Sequence, residues 1–475
     1  MSMRRRSTMS PSKKQFWIEL VAQLVLIVPF VYNFIPLVRD PQQWAADARV
    51  AYAEGIATGN LTNWHSCLYL FEGHWLLRGM RDVVGVDVSS HTVMACMASV
   101  MLVLLCISLA MLLHWLMKQN ILYALVAGIS PLFVKSGASP LMSLTLDYYY
   151  MVASVVCLVS LLYLNHRWKW VRVVAHILFW LMLVHIPEYR KNALLTVPAL
   201  TFCYFCITCR SWSFKRSAGM AVLCTCGLAV MMFLFPTLLP NVTKTHPQYV
   251  MMACDLRVAA LCRGEFEQEL ECHEKQFGIR HKYDEDFNQA GAYDVRASWL
   301  SIVPGRMGPG RNDQCWDSFA KHYMETLFKY PASVISARMI QALNFYTRDY
   351  TPEYIERFWN GCWPALAAGG DPWHKTKTLQ WPRRLSLRLF AMGMLVCLLL
   401  FYAKSIRKQP QTVKFAVAVG MVALLYALSF LPAVPTADDR YHMPFVLLCY
   451  ISISICFVHI LITKICKRCL NSGGN

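Results

Sequence analysis

The feature that most constrains this chain is a series of apolar runs, each about as long as a bilayer is thick. A helix that crosses the hydrocarbon core needs about 20 mostly apolar residues. Ten runs meet or approach that length: 16–38, 92–117, 121–139, 148–164, 171–187, 192–209, 218–239, 386–403, 412–431 and 443–463. Hydrocarbon offers no hydrogen bonds to the backbone, so each run is expected to satisfy its own N–H and C=O groups as a helix. The expected fold class is an α-helical polytopic membrane protein with about ten transmembrane helices. No small-residue cleavage site follows the first run, which therefore reads as a retained helix.

Composition and charge orient the chain. Of 475 residues, 56% are hydrophobic and only 16% are charged, whereas soluble domains carry roughly a quarter charged residues. The high hydrophobicity also excludes intrinsic disorder. A formal charge of +18 first suggests a nucleic-acid partner. That reading needs basic residues gathered on one water-exposed face. Here they are spread between apolar runs, so membrane lipid is expected and nucleic acid is not. With Arg4, Arg5, Arg6, Lys13 and Lys14 in the cytoplasm, the inside connections carry Lys118, then Arg167, Lys169 and Arg172, then Lys215 and Arg216, then Arg407 and Lys408. Lys464, Lys467 and Arg468 follow the last run. Glu19 is the one acid on that side. Both termini inside is the simplest arrangement that obeys the positive-inside rule.

This topology divides the chain. Residues 1–239 form an N-terminal membrane domain of seven helices, with a first exterior loop at 39–91. Residues 240–385 form an exterior domain of mixed secondary structure, inserted between helices seven and eight, and 386–475 carry the last three helices. The insert has 18 Lys+Arg against 17 Asp+Glu, as a water-facing folded domain would. Its Trp and Tyr residues, among them Trp299, Trp316, Tyr323 and Trp359, suit a core or a sugar-stacking surface. Most cysteines lie inside apolar runs and act as small hydrophobes. Cys67, Cys254, Cys262, Cys272, Cys315 and Cys362 are exterior, where an oxidising compartment would allow some to pair.

Scarcity singles out the candidate functional residues. Outside the insert only 11 acids remain, and all but Glu19 sit at predicted outer junctions. Ionisable groups at a membrane boundary are costly and tend to line functional cavities. In the first loop Asp47 and Glu54 lie on a predicted helix over 42–57, two turns apart, roughly 10 Å. His65 follows, and then an amphipathic stretch with Leu68, Leu70, Phe71, Trp75 and Leu76 on its apolar side. Two short helices at the outer membrane surface fit this pattern. Asp147 opens the fourth run. Arg190 and Lys191 follow the fifth, and Arg440, Tyr441 and His442 precede the tenth. These cations lie outside, against the topological bias. A phosphate at the membrane surface would explain them, because Arg grips phosphate oxygens bidentately. Internal pairing, of Arg190 with Glu188 or of Arg440 with Asp438 or Asp439, would explain them equally.

Together these junctions resemble the GT-C class of integral-membrane glycosyltransferases, which use polyprenyl-phosphate-linked sugars. The shared features are an acid soon after helix one (Asp47), surface helices in that loop, and a second acid at a later junction (Asp147). They also include the Arg190-Lys191-Asn192 junction and the segment Asp439-Arg440-Tyr441-His442-Met443-Pro444. The position of the insert differs from subfamilies whose soluble domain follows the last helix. The resemblance implies transfer of a sugar from a polyprenyl phosphate to a hydroxyl of a glycan, lipid or protein acceptor, with inversion at the anomeric carbon. It implies catalytic roles for Asp47 and Asp147, and donor-phosphate binding by Arg190, Lys191, Arg440 and His442. It implies substrate positioning by Glu54, His65 and Tyr441. A bacterial inner membrane, with the site facing the periplasm, is the expected location.

Other readings stand beside this one. A polysaccharide polymerase or ligase of the O-antigen type shares the helix number and a large exterior loop. A transporter or lipid flippase is the third reading, but it should show repeats or charges at the midplane, and this sequence shows neither. No cofactor is required by these residues. A divalent ion remains open, since His65, His74 and His442 could join Asp47 in ligating one or could simply form interfacial hydrogen bonds. The stretch Gly305–Gly310 lacks the Gly-Lys-Ser/Thr of a P-loop. Cys203, Cys206 and Cys209 have metal-like spacing without a second matching pair.

Overall fold

The structure, a computed structural model, describes residues 51–62, 66–134, 146–209, 211–239, 241–243, 248–277, 309–346, 387–403, 405–431 and 443–472, with scattered positions between 17 and 41. Asp47, His65, Arg440, Tyr441 and His442 lie outside the described residues.

In the first loop, α1 (Ala53–Thr58) precedes a two-residue strand β1 (Leu61–Thr62) and α2 (Cys67–Asp82). The N-terminal bundle then contains α3 (Ser90–Gln119), α4 (Ile121–Val134), α5 (Leu146–Tyr163) and α6 (Lys169–Tyr189). A 3-10 turn at Lys191–Thr196 leads into α7 (Val197–Thr208), and α8 (Phe214–Leu238) follows. Seven segments among the described residues are long and apolar enough to cross a membrane. They are α3, α5, α6, the 3-10 turn with α7, α8, and two helices near the C-terminus, α14 (Gln411–Leu428) and Pro444–Ile465. Two further expected runs appear as shorter helices, α4 with 14 residues and α13 (Leu387–Ala403) with 17. The described positions of the first run, from Trp17 to Arg39, are helical. The chain is an α-helical membrane protein.

Local chemistry starts these helices where it should. Ser66, Ser89 and Ser213 each accept a hydrogen bond from a backbone N–H in the first turn, at the starts of α2, α3 and α8. Each cap satisfies one of the four donors a helix start leaves open. Packing then sorts the helices by depth. Every residue of α5 from Leu146 to Leu161 is buried, and it packs on α3 and α6. A helix without charge on any side but its first turn belongs in a core. α8 lies at the rim, with Phe233 72% and Leu238 78% exposed, as lipid-facing side chains would be. α14 packs on α15 (Met443–Ser472) with little space between them. A Cβ on Gly420 would stand 2.6 Å from Leu395 Cδ1 and 2.7 Å from Ser452 Oγ. Small residues permit such close approach between membrane helices.

Contacts also define the two ends of the bundle. At one end the start of α5, the ends of α6, α8 and α14, and the first loop come together. The ring centres of Phe71 and Phe235 are 6.3 Å apart there. β1 pairs in parallel with β2 (Val242–Thr243), tying the loop to the start of the insert. At the other end His166 lies near Arg167 and Lys118. Glu19, the lone acid expected on the basic side, is 2.6 Å from His114 Nδ1. That pairing explains how an acid is tolerated there.

The insert was expected to be mixed. Its described residues are helical apart from β2: α9 (Gln248–Arg263), α10 (Phe266–Phe277), α11 (Pro309–Lys329) and α12 (Pro331–Tyr346). Val258, Ala259, Val334 and Ala337 form a small core on which Tyr323 and Leu327 pack. Tyr323 thus serves the core reading of the insert's aromatics. Its hydroxyl donates to Asp255 Oδ2 at 3.2 Å, and Arg338 also binds Asp255. Toward the protein α2 turns Cys67, Tyr69, Leu70, Gly73 and Leu77, while Trp75 and Leu76 are 58% and 41% exposed. The reason is Gly73, whose missing side chain makes room for Ile56: a Cβ there would sit 2.6 Å from Ile56 Cδ1. α1 therefore docks on the Gly73 side, and Trp75 faces away.

Candidate active site

Two of the residues singled out at separate junctions, Asp147 and Arg190, meet at the end of the bundle that carries the first loop. Asp147 lies in the first turn of α5, where the helix dipole favours a carboxylate. Its side chain is 3% exposed. Arg190 ends α6: its backbone is extended (φ −145°, ψ 107°) and its N–H bonds to Ile186 O. α5 and α6 are packed neighbours, so the start of one lies beside the end of the next. Arg190 reaches back and grips Asp147 with two parallel bonds. Nε donates to Oδ1 at 2.5 Å, and Nη2 donates to Oδ2. Tyr426, from the end of α14, donates to Asp147 Oδ1 at 3.4 Å, and its ring stacks on Tyr150 with centres 4.2 Å apart. Asn192 Nδ2 donates to Ser429 Oγ at 2.8 Å, so the turn after Arg190 is tied to the same helix end.

Arg190 thus pairs with Asp147 rather than with Glu188, its neighbour in sequence. Glu188 instead lies at the Leu68 N–H, at the start of α2, where that helix end favours an anion. Lys191 is exposed, within electrostatic reach of Glu188 and of the Cys67 thiol. Burial, with Glu188 nearby, pushes the Cys67 thiol up to about 11, so it is no nucleophile at neutral pH.

A second pair went unmatched in the sequence. Glu72, on α2, and His185, on α6, are both outer-junction residues. His185 Nδ1 lies 2.7 Å from Leu181 O, and a carbonyl can only accept, so Nδ1 carries a proton. His185 Nε2 lies 2.8 Å from Glu72 Oε1. That second bond requires one more proton, shared between imidazole and carboxylate. The pair therefore holds a proton at the membrane edge. Above it Tyr69 and Tyr149 hydroxyls are 3.3 Å apart. These aromatic contacts fix α2 across the top of α5 and α6.

Other expected residues take plainer places. Glu54 is exposed on α1, while Ala53 and Ile56 beside it are buried. His74 Nδ1 donates to Ile56 O at 2.8 Å, the interfacial hydrogen bond that was one of its two readings. Comparison with protein-family models, with curated proteins and with solved structures finds no match to this chain.

Proposed function

We propose that this protein is a membrane glycosyltransferase that moves a sugar from a polyprenyl-phosphate donor to an acceptor hydroxyl at the end of the bundle where Asp147 and Arg190 meet. By the positive-inside rule that end faces outward, with both termini and the basic end in the cytoplasm. A bacterial inner membrane with a periplasmic site suits this reading. The observation that carries it is the convergence of the first loop, the start of α5 and the ends of α6 and α14 around a cation held by a buried acid. A phosphate leaving group needs a fixed cation, and fixing it beforehand avoids reorganisation during reaction.

In this reading the acceptor O–H attacks the anomeric carbon from the face opposite the phosphate. The new C–O bond forms as the bond to the phosphate oxygen breaks, which inverts the centre. Asp47 takes the hydroxyl proton. Polyprenyl phosphate leaves with the electron pair, its charge met by Arg190 and Arg440, with Lys191 and His442 nearby in the sequence junctions. Asp147 is a positioning residue: its bidentate grip sets the plane of Arg190.

The test is transfer of radiolabelled sugar from a polyprenyl monophosphate by the full chain in lipid nanodiscs. Asp47→Asn should lower transfer by about 10²–10⁴-fold, the usual worth of a general base, with expression unchanged. Full activity in that variant would remove Asp47 from the mechanism. Activity only with a polyprenyl-diphosphate oligosaccharide would favour the polymerase or ligase reading instead.

A further inference from the structure

The insert carries a second buried polar cluster that the transfer reaction does not use. α10 places Glu269 and His273 four residues apart, on one face of the helix. α11 brings His322 to the same point. Glu269 Oε1 lies 2.8 Å from His322 Nε2 and 3.2 Å from His273 Nε2. The three ligand-type atoms all lie within 4.8 Å of one another. His273 is fully buried and Glu269 is 8% exposed. Aromatic rings wall the cluster: Phe319 packs on His273 at 5.5 Å and Phe277 on His322 at 5.3 Å. They fix both imidazoles and limit the access of water.

We propose that Glu269, His273 and His322 form a divalent-metal site, suited to Zn2+, that clamps α10 to α11. Two imidazole nitrogens and one carboxylate oxygen are a donor set that Zn2+ prefers. Tetrahedral bonds of about 2.0–2.2 Å place neighbouring donor atoms about 3.3 Å apart. The two Glu–His separations are close to that edge. Zn2+ would take the Nε2 lone pairs, with the ring protons on Nδ1, and leave a fourth position for water.

Nearby cations set a limit on affinity rather than forbid the site. Arg263 Nη2 is 3.8 Å from Glu269 Oε2, but its Nε binds Glu265 at 2.7 Å and its guanidinium lies over the Tyr330 ring. Arg257 is also within electrostatic reach of His273. Glu265 and Glu269 offset Arg263 and Arg257, so the immediate surroundings are close to neutral before a metal binds.

The test needs no transfer assay, so it stands or falls apart from the proposed reaction. The full chain in detergent, stripped with chelator, is titrated with Zn2+ while thermal unfolding is followed, and with Co2+ while visible absorption is read. One tight equivalent, a raised melting temperature and the strong bands of tetrahedral Co2+ are expected. His322→Gln keeps an N–H toward Glu269 but supplies no imidazole. It should melt like the wild type without metal, bind Zn2+ at least about tenfold more weakly, and lose the Co2+ bands. A wild type that shows no Zn2+-dependent rise, or a His322→Gln variant that binds as tightly, would overturn the proposal.

Discussion

Asp147 in the membrane bundle and Glu269 in the insert are both buried carboxylates bound by basic side chains from a neighbouring helix. They differ in the partner. Asp147 faces a guanidinium, which keeps its proton across the ordinary pH range and has no lone pair to offer a metal. Glu269 faces two imidazoles, each of which carries a ligating nitrogen. The first arrangement is a permanent anchor, fit to hold a cation at a membrane surface. The second responds to acid and to metal. Burial alone distinguishes neither, because the compensating group decides what a buried acid can do.

Removing one member of the Asp147–Arg190 pair should have the largest effect. Asp147→Ala leaves a partly buried guanidinium without its acid, which costs about 3–5 kcal/mol. Unfolding followed in detergent measures it; a variant as stable as the wild type would show that the anchor is not needed. Acidification should act next, on the insert. The depressed Glu269 pKa contributes stability that is complete above its ordinary value of 4.5 and is lost as pH falls toward about 2. Burial also lowers the His273 pKa from 6.5, so its neutral form is favoured in the fold and loss begins below that value. Arg263, Arg257 and His322, the basic groups facing this cluster, add repulsion once the histidines charge. Hydrogen exchange should show α10 and α11 opening as pH falls from 7 to about 3 while α5 stays protected. Simultaneous opening of α5 would erase the distinction. The smallest effect belongs to Tyr426→Phe. Its hydroxyl is 3.4 Å from Asp147, and losing so long a bond should cost no more than about 1 kcal/mol, read from the same unfolding curves.

Much of this was legible in the sequence, and the gaps have physical causes. Apolar length alone located the seven segments among the described residues that are long enough to span, because hydrocarbon leaves the backbone no other solution. Asp147 stood out as one of few acids, and Arg190 as a cation against the topological bias. Their pairing did not, since Glu188 is closer in sequence to Arg190, and 43 positions separate the true partners. The antiparallel packing of α5 and α6 is what joins them. The Glu72–His185 pair was not legible, because it depends on a distance between two helices. In the insert, Glu269 and His273 show helical spacing, whereas His322 reaches them only through the packing of α10 on α11. Which face of α2 meets α1 was not legible, because the space at Gly73 decides where α1 docks.

The most direct measurement of the central claim compares wild type with Arg190→Lys in transfer from a radiolabelled polyprenyl-monophosphate sugar. Lysine keeps the charge but loses the planar fork that both Asp147 and a phosphate would engage. Transfer by the wild type, reduced about 10²-fold or more in Arg190→Lys with Zn2+ binding by the insert unchanged, is the result expected of a donor-phosphate site at this junction. Equal rates in the two proteins, or no transfer from any monophosphate donor by the wild type, would contradict it.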